Sequence, residues 1–111
     1  MTYRVTKRME ISGAHHLELT YPSKCGRVHG HNWIVTVTME SEELDENGMV
    51  MDFTRIKEKV SDRLDHQDLN AVLGFNPTAE NIARWIAEEL GPLCVRVQIQ
   101  ESEGNVAEFC R

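Results

Sequence analysis

Between Lys24 and His31 the chain collects a thiol (Cys25), two flanking cations (Lys24 and Arg27) and two imidazoles (His29 and His31). The run that follows, Trp33 to Glu40, alternates apolar and polar residues as a strand does. Residues two apart in a strand point to one face, so His29 and His31 project together. Gly30 between them leaves room for a backbone to approach. A third imidazole, His15, ends another strand-like run. Three neutral imidazoles suit Zn²⁺, and three protein ligands rather than four leave one position open for chemistry. Histidines at this spacing also occur as ordinary half-buried strand residues, and spacing alone leaves both readings open.

Two further groups stand out. Asp65-His66 follows a helical pattern and reads either as a cap beside a surface histidine or as a carboxylate tuning an imidazole for proton transfer. Glu101 continues the apolar side of a strand carrying Val95, Val97 and Ile99. A charge there is costly unless something pairs with it, and Arg96 points the other way.

The elements that must position these groups can be read in order. Tyr3 to Leu17 predicts a first strand, with a bulge about Ser12-Gly13. His16 has the opposite parity to His15 and should face away. Glu18 to Arg27 is a loop broken by Pro22 and Gly26, and Trp33 to Glu40 is the second strand. Glu42 to Gly48 is a solvated acidic turn. Asp52 caps a helix that carries Phe53, Ile56, Val60 and Leu64 at helical spacing. Leu69 to Pro77 is a connection. Thr78 caps a second helix burying Ala79, Ile82, Ala83, Ile86 and Leu90, stopped by Gly91-Pro92. Val95 to Glu101 is the third strand and Val106 to Arg111 the fourth. The order ββααββ predicts an α+β fold: a four-stranded antiparallel sheet with two helices on one face. Such a sheet has exposed edges that need a partner.

At 111 residues and 41% hydrophobic, the chain is expected to form a single domain, residues 1–111. No apolar run is long enough to span a bilayer and no signal peptide is visible, which points to a cytoplasmic protein without a membrane partner. Three cysteines do not suggest a disulfide framework, and Cys94 and Cys110 read as small packing residues. A net charge of −6 argues against a nucleic-acid partner, which a basic face would attract.

Ala14-His15-His16-Leu17, Cys25-x3-His29-Gly30-His31-Asn32, Met51-Asp52-Phe53, Leu64-Asp65-His66-x-x-Leu69-Asn70 and Pro77-Thr78-Ala79-Glu80-Asn81, followed by Glu101, occur in this order. Together they resemble the family of 6-pyruvoyltetrahydropterin and 6-carboxytetrahydropterin synthases over nearly the whole chain. The C-x3-H-G-H spacing and the short length are similar to the bacterial 6-carboxy branch, which serves queuosine and deazapurine synthesis. His16 stands where the family commonly carries arginine.

The resemblance implies a T-fold, with subunits joined through sheet edges into stacked rings, a homohexamer built as a dimer of trimers, and active sites between subunits. It implies 7,8-dihydroneopterin triphosphate as substrate and Zn²⁺ on His15, His29 and His31. Cys25 would be a thiolate base, and His66, held by Asp65, the second proton carrier. Glu101 would anchor the pterin edge, with Thr78 and Glu80 as further candidates, and Lys24 and Arg27 would meet the triphosphate. The product would be 6-carboxy-5,6,7,8-tetrahydropterin, with triphosphate and acetaldehyde released. The alternatives are a 6-pyruvoyltetrahydropterin synthase, a non-catalytic pterin- or metal-binding module, and a three-histidine iron oxygenase, against which the two helices count.

Overall fold

A computed structural model describes all residues from Met1 to Arg111. The sheet is built on one long antiparallel pair, β1 (Tyr3–His15) and β2 (His29–Ser41). Its register is unbroken from Tyr3↔Ser41 to His15↔His29, so the expected bulge at Ser12-Gly13 is absent. His15 thereby stands directly opposite His29.

Three more strands complete the sheet: β3 (Gln67–Asp68), β4 (Cys94–Ser102) and β5 (Asn105–Cys110). The order is β3-β1-β2-β4-β5, and β3 runs parallel to β1. The four-stranded antiparallel expectation is therefore corrected to a five-stranded mixed sheet. A two-residue strand of Gln and Asp has no alternation to betray it; it is recruited by hydrogen bonds to the β1 edge rather than by burial.

Helices are more numerous than the pattern predicts. α1 (Phe53–Lys59) and α2 (Ser61–Leu64) replace one continuous helix. The break falls at Val60, whose φ −118 and ψ −73 depart from helical values. Periodicity survives the break, because Ile56, Val60 and Leu64 are all buried, which is why the sequence reads as one helix. α3 (Leu69–Val72) lies within the expected connection. α4 (Ala79–Leu90) matches its prediction: Thr78 Oγ1 accepts from Asn81 N, and Gly91 ends it at φ 92. Asp52 likewise caps α1 through Thr54 N.

One face of the sheet carries a core of 21 buried residues shared with the helices. Met9 and Ile11 of β1, Trp33, Val35, Val37 and Met39 of β2, and Val97 and Ile99 of β4 supply the sheet's part. The pairing of β4 shifts between Thr38 and Met39. That shift buries Cys94 completely and leaves Val95 half-buried, so Val95 does not share the face of Val97 and Ile99 as the alternation predicts. Cys94 is the packing residue expected, with burial pushing its thiol pKa up; Cys110 is exposed and packs nothing. No helix is long and apolar enough to cross a membrane.

Candidate metal centre

The inward parity that builds the core continues past it. His15 follows Met9 and Ile11 on β1, His29 and His31 precede Trp33 on β2, and Glu101 follows Val97 and Ile99 on β4. Three adjacent strands thus end the same apolar stripe with a ligand residue. One ligand atom from each of His15, His29, His31 and Glu101 falls within 4.8 Å of all the others. The ring centroids of His15 lie 4.6 Å from His29 and 5.3 Å from His31. Trp33 forms the floor, edge-on to His15 and His31, with its Nε1–H donated to Gly13 O at 3.1 Å.

The outer nitrogens fix the tautomers. A carbonyl can only accept, so His15 Nδ1–H donates to Pro77 O at 2.8 Å and His29 Nδ1–H to Arg27 O at 2.7 Å. Each ring therefore turns a bare Nε2 lone pair inward, the arrangement metal-ligating histidines adopt. Burial, above all, pushes the His15 pKa below its ordinary value; the neighbouring His29 and His31 add to this, and the Pro77 contact and Glu101 oppose it. The imidazole is kept neutral, as a ligand must be.

Glu101 Oε1 lies 2.9 Å from His31 Nε2 and 3.3 Å from His15 Nε2. Neither contact has hydrogen-bond geometry, and both nitrogens are buried without a hydrogen-bond partner. For His15, whose bare Nε2 faces the carboxylate oxygen, such a contact repels unless a cation stands between the two. The separations also match the roughly 3.3 Å edge of a tetrahedron with ligands about 2.0 Å from its centre. The donor set therefore fits a divalent metal. The partner of Glu101 is the pair of imidazoles on β1 and β2, which a search along its own strand cannot reveal.

Cys25 is half-buried and outside the ligand group. It lines a cavity of about 600 Å³ with Lys24, His29, His31, Glu101 and Asn105. The geometry brings the thiol to the metal group without making it a ligand. Arg27 is exposed and meets the site through its carbonyl on His29. His66 opens elsewhere, onto a second cavity of about 530 Å³ that shares Gly30 and His31 with the first. Its Nδ1 is 3.1 Å from Asp65 Oδ2, and its side chain is 81% exposed. Asp65 is held below the usual carboxylate range foremost by the Ser12 N–H it accepts at 2.9 Å.

One expectation about a neighbouring residue changes. The Thr78 hydroxyl accepts a hydrogen bond as the α4 cap, as expected, while Glu80 is exposed and borders a third cavity with Glu101. Gly30 is not a point of close approach, since a Cβ there would meet Gly13 O only at 3.8 Å, an ordinary contact. Residues the sequence did not single out are Pro77, whose carbonyl orients His15, and Trp33 as the floor. The motif Pro77 to Asn81 was a signal for the first; aromatic residues on a core face give none for the second.

Comparison with known proteins agrees with this geometry. The chain is 32% identical to 6-carboxy-5,6,7,8-tetrahydropterin synthase of Bacillus subtilis over 91% of its own length and 80% of the relative's. It is 39% identical to the Synechocystis protein of the same name, covering 95% and 91% of the two chains. The solved structure of Caenorhabditis elegans 6-pyruvoyl tetrahydropterin synthase superposes with a TM-score of 0.78 at 25% identity, covering 100% of this chain and 96% of that one. A family model described as 6-pyruvoyl tetrahydropterin synthase matches residues 4–111, and the chain belongs to that family of pterin-processing enzymes.

Proposed function

We propose that the chain is a zinc-dependent 6-carboxy-5,6,7,8-tetrahydropterin synthase. It takes 7,8-dihydroneopterin triphosphate, eliminates triphosphate, cleaves the side chain with release of acetaldehyde, and serves queuosine or deazapurine synthesis in the cytoplasm. One observation carries the reading: three converging histidines, two of them with inward lone pairs, stand beside a cavity lined by a thiol that is not their fellow ligand. The names of relatives that match most of the chain support the product.

A zinc ion held by His15, His29 and His31 would acidify the substrate's side-chain hydroxyls and steady the charge left as protons leave the neighbouring carbons. Cys25 takes a proton from the side chain, a role supported by the cavity it lines together with His29 and His31. His66 carries the second proton, with Asp65 orienting the ring through Nδ1 and leaving Nε2 to face substrate. Cys25 and His66 open into different cavities of one chain, which supports a substrate site completed by a neighbouring subunit. Glu101, bordering both the thiol's cavity and that of Glu80, accepts the paired N–H donors of the pterin edge. Lys24, which lines the thiol's cavity, and the exposed Arg27 meet the triphosphate.

The second reading is a 6-pyruvoyltetrahydropterin synthase, favoured by the name of the matching C. elegans structure. Incubation with dihydroneopterin triphosphate, with and without chelator, separates the two. Chelator-sensitive formation of acetaldehyde and 6-carboxytetrahydropterin is expected. A pyruvoyl product without acetaldehyde would establish the second reading, and turnover indifferent to chelator would remove zinc from both.

A further inference from the structure

Beyond His15 the chain leaves the sheet, yet its backbone remains fully paired on one side. His16 N donates to Asn70 Oδ1 at 2.8 Å, and Asn70 Nδ2 donates to His16 O at 3.0 Å. Two residues on, Glu18 N donates to Asn76 Oδ1 at 2.9 Å and Asn76 Nδ2 to Glu18 O at 3.0 Å. Each carboxamide thus takes the place of a peptide group on a neighbouring strand. They continue the edge begun by Asp65 and His66 on Ser12 and by β3 on Gly13 and Ala14.

Leu17, between the two clamped residues, turns to the other side and donates its N–H to Cys25 O at 2.9 Å. This is the sole backbone hydrogen bond joining the exposed loop of residues 19–28 to β1 and its extension. Asn76 is itself fixed, since its carbonyl accepts from Asn81 Nδ2 at 3.0 Å in the first turn of α4. The route from α4 to the thiol is therefore Asn81, Asn76, Glu18, Leu17, Cys25.

We propose that Asn70 and Asn76 are positioning residues that set where the Cys25 thiol stands relative to the three histidines. Their carboxamides hold residues 16–18 extended so that Leu17 can carry the cysteine loop. The assignment rests on the reading of Cys25 as the proton acceptor. Neither asparagine hydrogen-bonds a ligand residue's side chain, so a positioning role predicts turnover lost with the metal retained. A displacement of about 1 Å at a reacting group is enough to cost about 100-fold in rate.

The test uses the zinc-loaded protein with Asn70→Ala, Asn76→Ala and the milder Asn76→Asp, which keeps the acceptor for Glu18 N and loses the donor. Hydrogen exchange, read by mass spectrometry, should quicken about tenfold or more in peptides spanning residues 17–28. Peptides of β2 from Trp33 to Met39 should not change, which controls for global unfolding. Turnover with dihydroneopterin triphosphate should fall about 10- to 100-fold in kcat with KM held within about threefold, and zinc content should match the parent. Unchanged exchange in residues 17–28 overturns the proposal. So does zinc lost in step with activity, or unchanged kcat where exchange is faster and Cys25→Ala is inactive. If Cys25→Ala turns over normally, the base reading fails instead, and the exchange measurement alone decides the bracket.

Discussion

Replacing His31 by alanine should empty the metal group, because it removes one of three imidazoles and two are too few for a stable site. Metal analysis after dialysis should find the variant with almost no zinc where the parent keeps about one ion per chain; full occupancy would sink the ligand assignment. Glu101 is the harder residue, since its oxygen lies 2.9 Å from His31 Nε2 while the proposed function gives it the pterin edge. Glu101→Gln separates the two. Three histidines are a sufficient protein set for a catalytic site, so zinc should stay while substrate affinity falls roughly 10- to 1000-fold, about 1.4 to 4 kcal/mol. Zinc lost together with affinity would make Glu101 a ligand in its own right. At this scale the histidines were readable from strand parity, because a period of two is written into a sequence. The partner of Glu101 was not, because β2 and β4 pair across the long helical connection of residues 42–93, whose length carries no pairing information.

The elements depend on a few backbone commitments. Gly91 ends α4 at φ 92 and ψ −174, a region essentially closed to residues with a Cβ. Gly91→Ala meets no steric neighbour, so its cost is backbone strain alone, about 1–3 kcal/mol. Thermal unfolding should show a drop of several degrees, about 4–8 °C per kcal/mol for a domain near this size. The Asp65 corner carries a pH signature. Its carboxyl is held below the ordinary range mainly by Ser12 N–H. The folded chain therefore releases this proton more readily than the unfolded one, and the stabilisation is present at neutral pH. It is lost as pH falls below about 3.9 and through the folded pKa. Asp65→Asn keeps an acceptor for Ser12 and cannot titrate, so its melting temperature should decline less steeply than the parent's from about pH 4 downward. An identical acid limb would show that Asp65 contributes nothing through its charge. Strands β1 and β2 and helix α4 were legible because each has a long apolar period. β3, α3 and the carboxamide clamps were not, because elements of two and four residues are too short to show a period and side-chain hydrogen bonds leave no periodic trace.

For the whole molecule the open sheet edges matter most. β3 covers β1 only at Gly13 and Ala14, and β5 pairs with β4 alone, so most of the β1 outer edge and all of the β5 outer edge present unpaired backbone. Neither is blunted by proline. Tyr3 and Val106 are exposed beside them. The two cavities reached by Cys25 and His66 have only His31 of the three histidines in common, and pairing these edges between copies is also the way one chain's thiol would meet another's imidazole. Arg111 N bonds back to Val95 O. By strand alternation the N–H groups of residues 106, 108 and 110 therefore point away from β4. Glu108→Pro removes one outward donor without taking one from the β4 ladder, though it also removes the Arg96 ion pair, an exposed contact worth little. In light scattering the parent should run as the hexamer that the family resemblance implies and the variant as smaller species. Turnover should fall with mass, while zinc content, which needs only one chain's histidines, should not. A variant that stays hexameric would move the contact to the β1 edge. One that dissociates yet keeps full activity would place Cys25, Asp65 and His66 in a site that a single chain completes.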